Sequence, residues 1–335
     1  MAKMGYFVFL IFFVFLLVNG CDNSAETIDL QEFYENGIKT QVYFCPTTNC
    51  GKVITDVIDN AKNSVHCAFY DLDLKDLIKA IGKKSYTADV KIIIDHGNYD
   101  GQIKGDGVKV VKSKQYMHNK FCIIDDNNVI TGSMNPTERG SKFNNNNLII
   151  INSKYLAVNY EEEFDELWNG VYASGDNVKY SEISTNIGSI ENYFCPEDCQ
   201  EGENRIINLV RKAEKSVKVA IFSFTHEGLG DELVKSDIKG LDVKVLVERR
   251  QRNVQKSQYT RLKDFGIDIK VDSNKNNMHH KFVIIDDKIV VFGSPNFSFS
   301  GFGRNDENFL IIFNEELALR FVREFEGMFG LGEIV

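Results

Sequence analysis

The chain has 335 residues and 38.1 kDa, with 43% hydrophobic and 26% charged residues, which excludes a disordered or fibrous protein and leaves room for about two domains. Subtracting 48 Asp and Glu from 39 Lys and Arg leaves −9, so no global positive field holds nucleic acid or an anionic bilayer. Phosphate chemistry, if present, has to rest on a local site.

The N-terminus reads Lys3, an uninterrupted apolar run from Phe7 to Val18, then Asn19, Gly20 and Cys21. That run is shorter than the ~20 residues of a spanning helix and has the length of a signal-peptide core, so residues 1–20 are expected to stand outside the fold. Gly20 before Cys21, with Val18 upstream, resembles the lipobox of prokaryotic lipoproteins, in which the cysteine is lipidated; plain secretion and an uncleaved anchor are the alternatives. The expected location is the extracytoplasmic face of a membrane, reached through this anchor, or the medium outside.

Cys45 and Cys50 in YFCPTTNC, and Cys195 and Cys199 in YFCPEDC, form two local pairs. In an oxidising compartment they read as short-loop disulfides; a zinc site of all four thiolates is the rival. Cys67 and Cys122 lie in apolar strand-like runs and read as small buried hydrophobes.

Each cysteine pair is succeeded by the same series of elements. VITDVIDNAKNSVHCAFYDL and RIINLVRKAEKSVKVAIFSF are each an amphipathic helix running into an apolar strand. VKIIID and VKVLVE are apolar enough to be central strands, and GVKVV and GIDIKV alternate as strands do. From His118 to Ile151 and from His279 to Ile312 the copies align at an offset of 161 with no gap and 16 of 34 positions identical, so both backbones take one path. Each copy closes with a helix whose aromatic stripe, Phe164 and Trp168 or Phe325 and Phe329, reads as core. The polar stretch before Ser189 places a linker at 176–189, between domains at 38–175 and 190–335. Two such domains about a pseudo-twofold axis bring matching surfaces together.

The repeated polar residues are His118-x-Lys120, Asp125 and Gly132-Ser133-x-Asn135, and at the same spacing His279-x-Lys281, Asp286 and Gly293-Ser294-x-Asn296. His and Lys two apart share one face of an extended segment. Two such faces offer paired imidazoles, two ammonium groups and several hydrogen-bond donors around one volume, which suits a phosphodiester. A lysine inside each cluster argues against a divalent metal, which it would repel. His66, His96 and His226 have no repeated partner and read as structural, and alternation points His280 away from His279.

The double signature H-x-K-x4-D-x6-G-S-x-N closely resembles that of the phospholipase D superfamily, over nearly the whole chain from about Tyr43 to Gly330. The resemblance implies an α/β fold: a tandem pseudo-twofold duplication with two mixed sheets packed together, helices flanking them, and the active site at the domain interface. It implies metal-independent chemistry without a cofactor, in which one His forms a phosphohistidine and the other protonates the leaving oxygen and then activates water. Lys120, Lys281, Asn135 and Asn296 would hold the non-bridging oxygens, with Ser133 and Ser294 in support, while Asp125 and Asp286 would be orienting or structural. In the family a Glu downstream of the Gly-Ser-x-Asn often orients the His of its own half. Glu307 occupies that place, and Asn146 is its counterpart. A carboxylate favours a protonated imidazole, so this pattern makes His118 the neutral nucleophile and His279, with Glu307, the general acid.

The second half carries a longer connection before its motif, with Arg249, Arg250, Arg252, Lys256, Arg261 and Lys263 and no acidic residue between Arg249 and Lys263. It reads either as a basic lip gripping phosphate or as an ordinary solvated segment. A monomeric phosphodiesterase acting on a phospholipid head group is the leading expectation, with an exported nuclease of the same superfamily and an inactive binding protein as alternatives.

Overall fold

Each half folds through the same order of elements because each repeats the same apolar pattern. The computed structural model describes residues 33–335; the signal segment and Cys21 lie outside the described residues. The first-half sheet runs Lys39–Cys45, Asn146–Asn152, Asn128–Gly132, Lys120–Ile124, Ser64–Phe69, Asp89–Asp95, Val108–Val111. In the second half Gly188–Cys195, Glu307–Phe313, Ile289–Gly293, Lys281–Ile285, Ser216–Ile221, Asp242–Val247 and Asp268–Val271 take the same places. Both sheets are mixed, with parallel pairs such as Ser64–Phe69 on Asp89–Asp95 and antiparallel ones such as Ser64–Phe69 on Lys120–Ile124. Ser64–Phe69 and Lys120–Ile124 are buried at every position, as strands covered on both faces must be.

The closing helices, Lys154–Asn169 and Glu315–Leu331, start at Ser153 and Asn314, whose side chains accept from the N–H groups of Leu156 and Leu317. Their apolar faces share one core with residues of both sheets: Phe121, Tyr160 and Phe164 from the first half and Phe282, Phe292, Phe321 and Phe325 from the second. Glu32–Val335 is therefore a single unit rather than two separable domains.

The interval expected to be a linker is not one. Residues 176–189 contain strand Glu182–Thr185, which folds back antiparallel on Gly188–Cys195. Phe33–Glu35 pairs parallel with Glu182–Thr185, so a strand preceding the first half extends the sheet of the second to nine strands against seven. Its Glu35 accepts hydrogen bonds from Ser153 Oγ and Lys154 N at the start of the first closing helix. The additional length before the second motif contains helix Gln258–Asp264.

Cys45–Cys50 and Cys195–Cys199 are disulfides, so the four thiolates do not converge on one zinc site. Cys67 and Cys122 are not the two free buried hydrophobes expected from their strand-like runs, because they too are bonded. Their strands are antiparallel neighbours and the residues stand directly opposite, with Cα atoms 4.1 Å apart. A separation of 55 residues hides that proximity in the sequence.

Candidate active site

Both motifs follow the end of a parallel strand, and a buried carboxylate there holds the approach to each histidine. Asp95 Oδ2 accepts from Met117 N at 3.0 Å, and Glu248 Oε2 accepts from Met278 N at 2.7 Å. These two holders are not evident from the motifs, although the acid ending VKIIID and VKVLVE was the available signal.

The next residues cross the dyad. His118 N donates to Asp306 O and Asp306 N to Tyr116 O, while His279 N donates to Asn145 O and Asn145 N to Asn277 O. Each histidine is thus laced to the segment that carries the orienting residue of the opposite half. His118 Nδ1 meets Glu307 Oε2 at 2.7 Å, and His279 Nδ1 meets Asn146 Oδ1 at 2.9 Å and Ser133 O at 3.1 Å. Glu307 therefore orients His118, not the His279 of its own half, which corrects the pairing expected from sequence. The exchange arises because two short parallel bridges, Met117 with Asp306 and Asn145 with Met278, bring the strand ends of opposite halves together.

Ser133 and Ser294 are fully buried and serve the orienting residues: Ser133 Oγ donates to Asn146 Oδ1 at 3.0 Å and Ser294 Oγ to Glu307 Oε2 at 2.6 Å. Asn146, expected to bind substrate, is likewise fully buried, and its amide is aligned by donating to Gly140 O at 2.9 Å. The motif glycines permit this closeness, since a Cβ on Gly132 or Gly293 would lie 2.4 or 2.3 Å from the carbonyl of Asn147 or Asn308. Behind the histidines the crossing repeats: Asn308 Nδ2 donates to Asn119 Oδ1, and Asn147 Nδ2 meets His280 Nδ1. His280 points away from His279, as alternation requires, into a buried site beside Glu324.

Lys120 and Lys281 are buried. Lys120 Nζ donates to His118 O, and Lys281 Nζ lies 2.9 Å from His279 O and 3.0 Å from His279 Nε2. The rings of Tyr70 and Phe222 stand edge-on to His118 and His279 at 4.6 and 5.0 Å and lie beneath the two ammonium groups. Asn135 and Asn296 are half-buried; Asn135 Oδ1 has no hydrogen-bond partner, and Asn296 Oδ1 accepts from Ser223 N. A cleft of about 360 Å³ opens beside His118, lined by Tyr70, Lys114, Tyr116, Ser298 and Asn305.

Burial dominates the electrostatics. It pushes His118 down to about 4 against the pull of Glu307, with Lys120 adding to the fall. Burial, Lys281 and Lys120 hold His279 well below the ordinary histidine value. Burial also lowers Lys120 to about 7, and burial with the Lys120 charge holds Lys281 well below a normal lysine. Each imidazole is thus neutral with its Nδ1 proton given to an oxygen, leaving Nε2 as a lone pair. A bound phosphodiester anion would compensate the crowded positive charge.

Asp125 and Asp286 do not belong to this cleft. Each sits past the other end of its strand, about 16 Å along the chain from the lysine by strand rise. Asp125 accepts from the N–H groups of Lys62, Asn63 and Ser64, and Asp286 from those of Glu214, Lys215 and Ser216. Both adopt positive φ, 56° and 54°, to turn the strand. Burial opposes ionisation of Asp125, but the three N–H groups prevail and hold its carboxyl below the ordinary value. Asp125→Ala is expected to cost about 1–3 kcal/mol by orphaning these donors, with turnover unchanged, as urea unfolding beside an activity assay would measure. The carboxylate contribution is present above the unfolded-state pKa and is lost as pH falls through the lower folded value.

The basic segment is tied largely to its own chain. Arg249 pairs with Glu333, Arg250 donates to Asn277 Oδ1 and Lys275 O, Arg261 pairs with Asp231, and Lys263 donates to Val335 O. His66 lies between Glu161 and Asp89, and His226 caps helix Glu227–Ile238, both outside the site.

The chain is a duplicated α/β fold whose halves exchange the orienting partners of two imidazoles, each beside a buried ammonium group. The sequence profile described as "Cardiolipin synthase, PLD-like domain" matches residues 54–168 and 206–329. The chain belongs to this phospholipase D-like family. It is 31% identical over 135 residues to a mitochondrial cardiolipin hydrolase of Canis lupus familiaris, covering 39% of this chain and 53% of that protein. It is 30% identical over 113 residues to a phospholipase D of Rickettsia typhi, covering 34% of this chain and 55% of that one. The chain thus spans little more than half the length of these relatives. A phosphatidylserine synthase structure from Haemophilus influenzae superposes with a TM-score of 0.67 at 15% identity, over 86% of this chain and 85% of that one, a likeness of fold.

Proposed function

We propose that the protein is a metal-independent phosphodiesterase that cleaves a phospholipid head group through a phosphohistidine. The observation that carries this reading is the crossed pairing of His118 with Glu307 and His279 with Asn146. With Nδ1–H held by Glu307, the Nε2 lone pair of His118 attacks phosphorus; His279 takes up a proton at Nε2 as the phosphodiester anion offsets the lysine charges that hold the ring neutral, and the bond to the leaving oxygen breaks as that proton passes to it. The N-phosphorylated ring, still carrying Nδ1–H, is cationic, and Glu307 compensates that charge. His279 then takes a proton from water, hydroxide displaces His118 Nε2, and the monoester leaves. A neutral amide partner suits this second ring because it orients the imidazole without trapping the proton. Lys120, Lys281, Asn135 and Asn296 hold the non-bridging oxygens.

The relatives named for cardiolipin hydrolysis and phospholipase D activity support a lipid substrate. The lipobox-like Gly20-Cys21 and three disulfides support export and tethering where lipid concentrates. The test is hydrolysis of labelled phospholipid vesicles and of single-stranded DNA in EDTA. Release of head group is expected; DNA cleavage with intact lipid would assign a nuclease instead.

The site also predicts its pH profile. Neutral His118 is required, so kcat/KM rises as pH passes its pKa of about 4, and charged Lys120 is required, so kcat/KM falls above about 7. Lys120→Arg is expected to move the basic limb upward, because guanidinium stays charged. A rate still climbing above pH ~8 would refute the lysine assignment.

A further inference from the structure

We propose that Glu163, Glu166 and Glu197, with Asp306 beside them, hold a divalent cation of calcium's size and hardness at the seam between the halves. The first three each offer a carboxylate oxygen within 4.8 Å of the others, the spread expected of oxygens about 2.4 Å from one ion. Asp306 is 2% exposed and its Oδ2 has no hydrogen-bond partner; the same holds for the buried Glu197 Oε2. Its other oxygen accepts from Ala173 N, which leaves Oδ2 for a ligand, and its charge acts on Glu163 and Glu197. Among the described residues none of the four forms an ion pair, and Lys179 nearby is engaged by Glu162.

Two further observations set the place apart. At the positions equivalent under the offset of 161, and in the matching cysteine turn, stand Glu324, Gly327, Asn145 and Thr47. The fold itself therefore does not ask for four acids there. Gly175 lies against the group: a Cβ there would stand 2.1 Å from Glu166 Oε2 and 3.2 Å from Glu197 Oε1, so a methyl would displace those carboxylates. A cavity of about 550 Å³, lined in part by Glu163, Glu166, Asp176 and Asn177, gives an ion access.

The ion would join helix Lys154–Asn169 of the first half to Glu197 and Asp306 of the second. Because Asp306 O accepts from His118 N and Glu307 follows it, the clamp would also stiffen the mount of the first histidine. The competing state is a proton shared by Glu163 and Glu197, whose carboxyls hydrogen-bond to each other.

The test is calorimetric titration of EDTA-stripped, dialysed full-length protein with CaCl2, with melting curves in parallel. One site with Kd on the order of 0.1–1 mM is expected, and a rise in Tm of about 3 °C or more at tenfold excess over Kd. The half-buried Glu166→Gln and the loop variant Gly175→Ala should weaken calcium binding at least about tenfold. No heat and no Tm shift at about 10 mM calcium and pH ~8, above the value of about 7 to which Glu197 and Asp306 are raised, overturns the proposal. Calcium binding that both variants leave untouched overturns it as well.

Discussion

Replacing His118 by alanine is expected to lower kcat by at least about 10⁴-fold, since no other group can form the bond to phosphorus. The complementary variant, His279→Ala, separates the two steps. With a p-nitrophenyl phosphodiester the leaving group departs without a proton, so His118 still forms its adduct, but water is no longer activated and the adduct accumulates. Peptide mass spectrometry should then find acid-labile phosphate on His118. An adduct carried by His279 in the His118→Ala protein, with none on His118 in the reciprocal variant, would invert the assignment. Glu307→Gln should slow the burst that reports adduct formation by about 10²-fold or more, because both the tautomer and the cationic intermediate lose their partner. Asn146→Ala should instead slow the steady state after the burst, because it disorients only His279. If each orienting residue served its own half, these two effects would exchange.

The largest stability effect is expected at Phe321, which is fully buried. Its ring meets Phe44 of the first half at 5.1 Å and Phe282 and Phe292 of the second at 5.2 and 5.4 Å. Phe321→Ala removes those contacts and leaves a cavity, at a cost of about 3–5 kcal/mol. For a unit of this size that lowers Tm by roughly 5–10 °C. Because the cavity opens in a core common to both halves, calorimetry should show one transition moving as a whole. Two transitions, with only the later half displaced, would mean that the halves fold independently.

The duplication, the two signatures and the strands that carry them are legible in the sequence because they are local: spacing along one chain sets which side chains share a strand face. The same locality explains why the buried aromatic stripes and the cysteine pairs within five residues could be read directly. It also explains what spacing along the chain does not show. Asp125 travels with His118 in sequence, yet the strand between them carries it to the far edge, where it holds a turn. Cys67 and Cys122 meet only after antiparallel pairing places their strands side by side. The polar interval before Ser189 contains a strand because Phe33–Glu35, from the far end of the chain, supplies a partner for it.

The sequence by itself determined that the molecule has two equivalent histidine-lysine sets on two copies of one fold. Only the tertiary structure decided which orienting residue serves which histidine, and that Glu163, Glu166 and Glu197 gather at one seam. The physical reason is the dyad. Equal offsets leave pairing within a half and pairing across halves indistinguishable along the chain, and the backbone bridges from His118 to Asp306 and from His279 to Asn145 select the crossed arrangement.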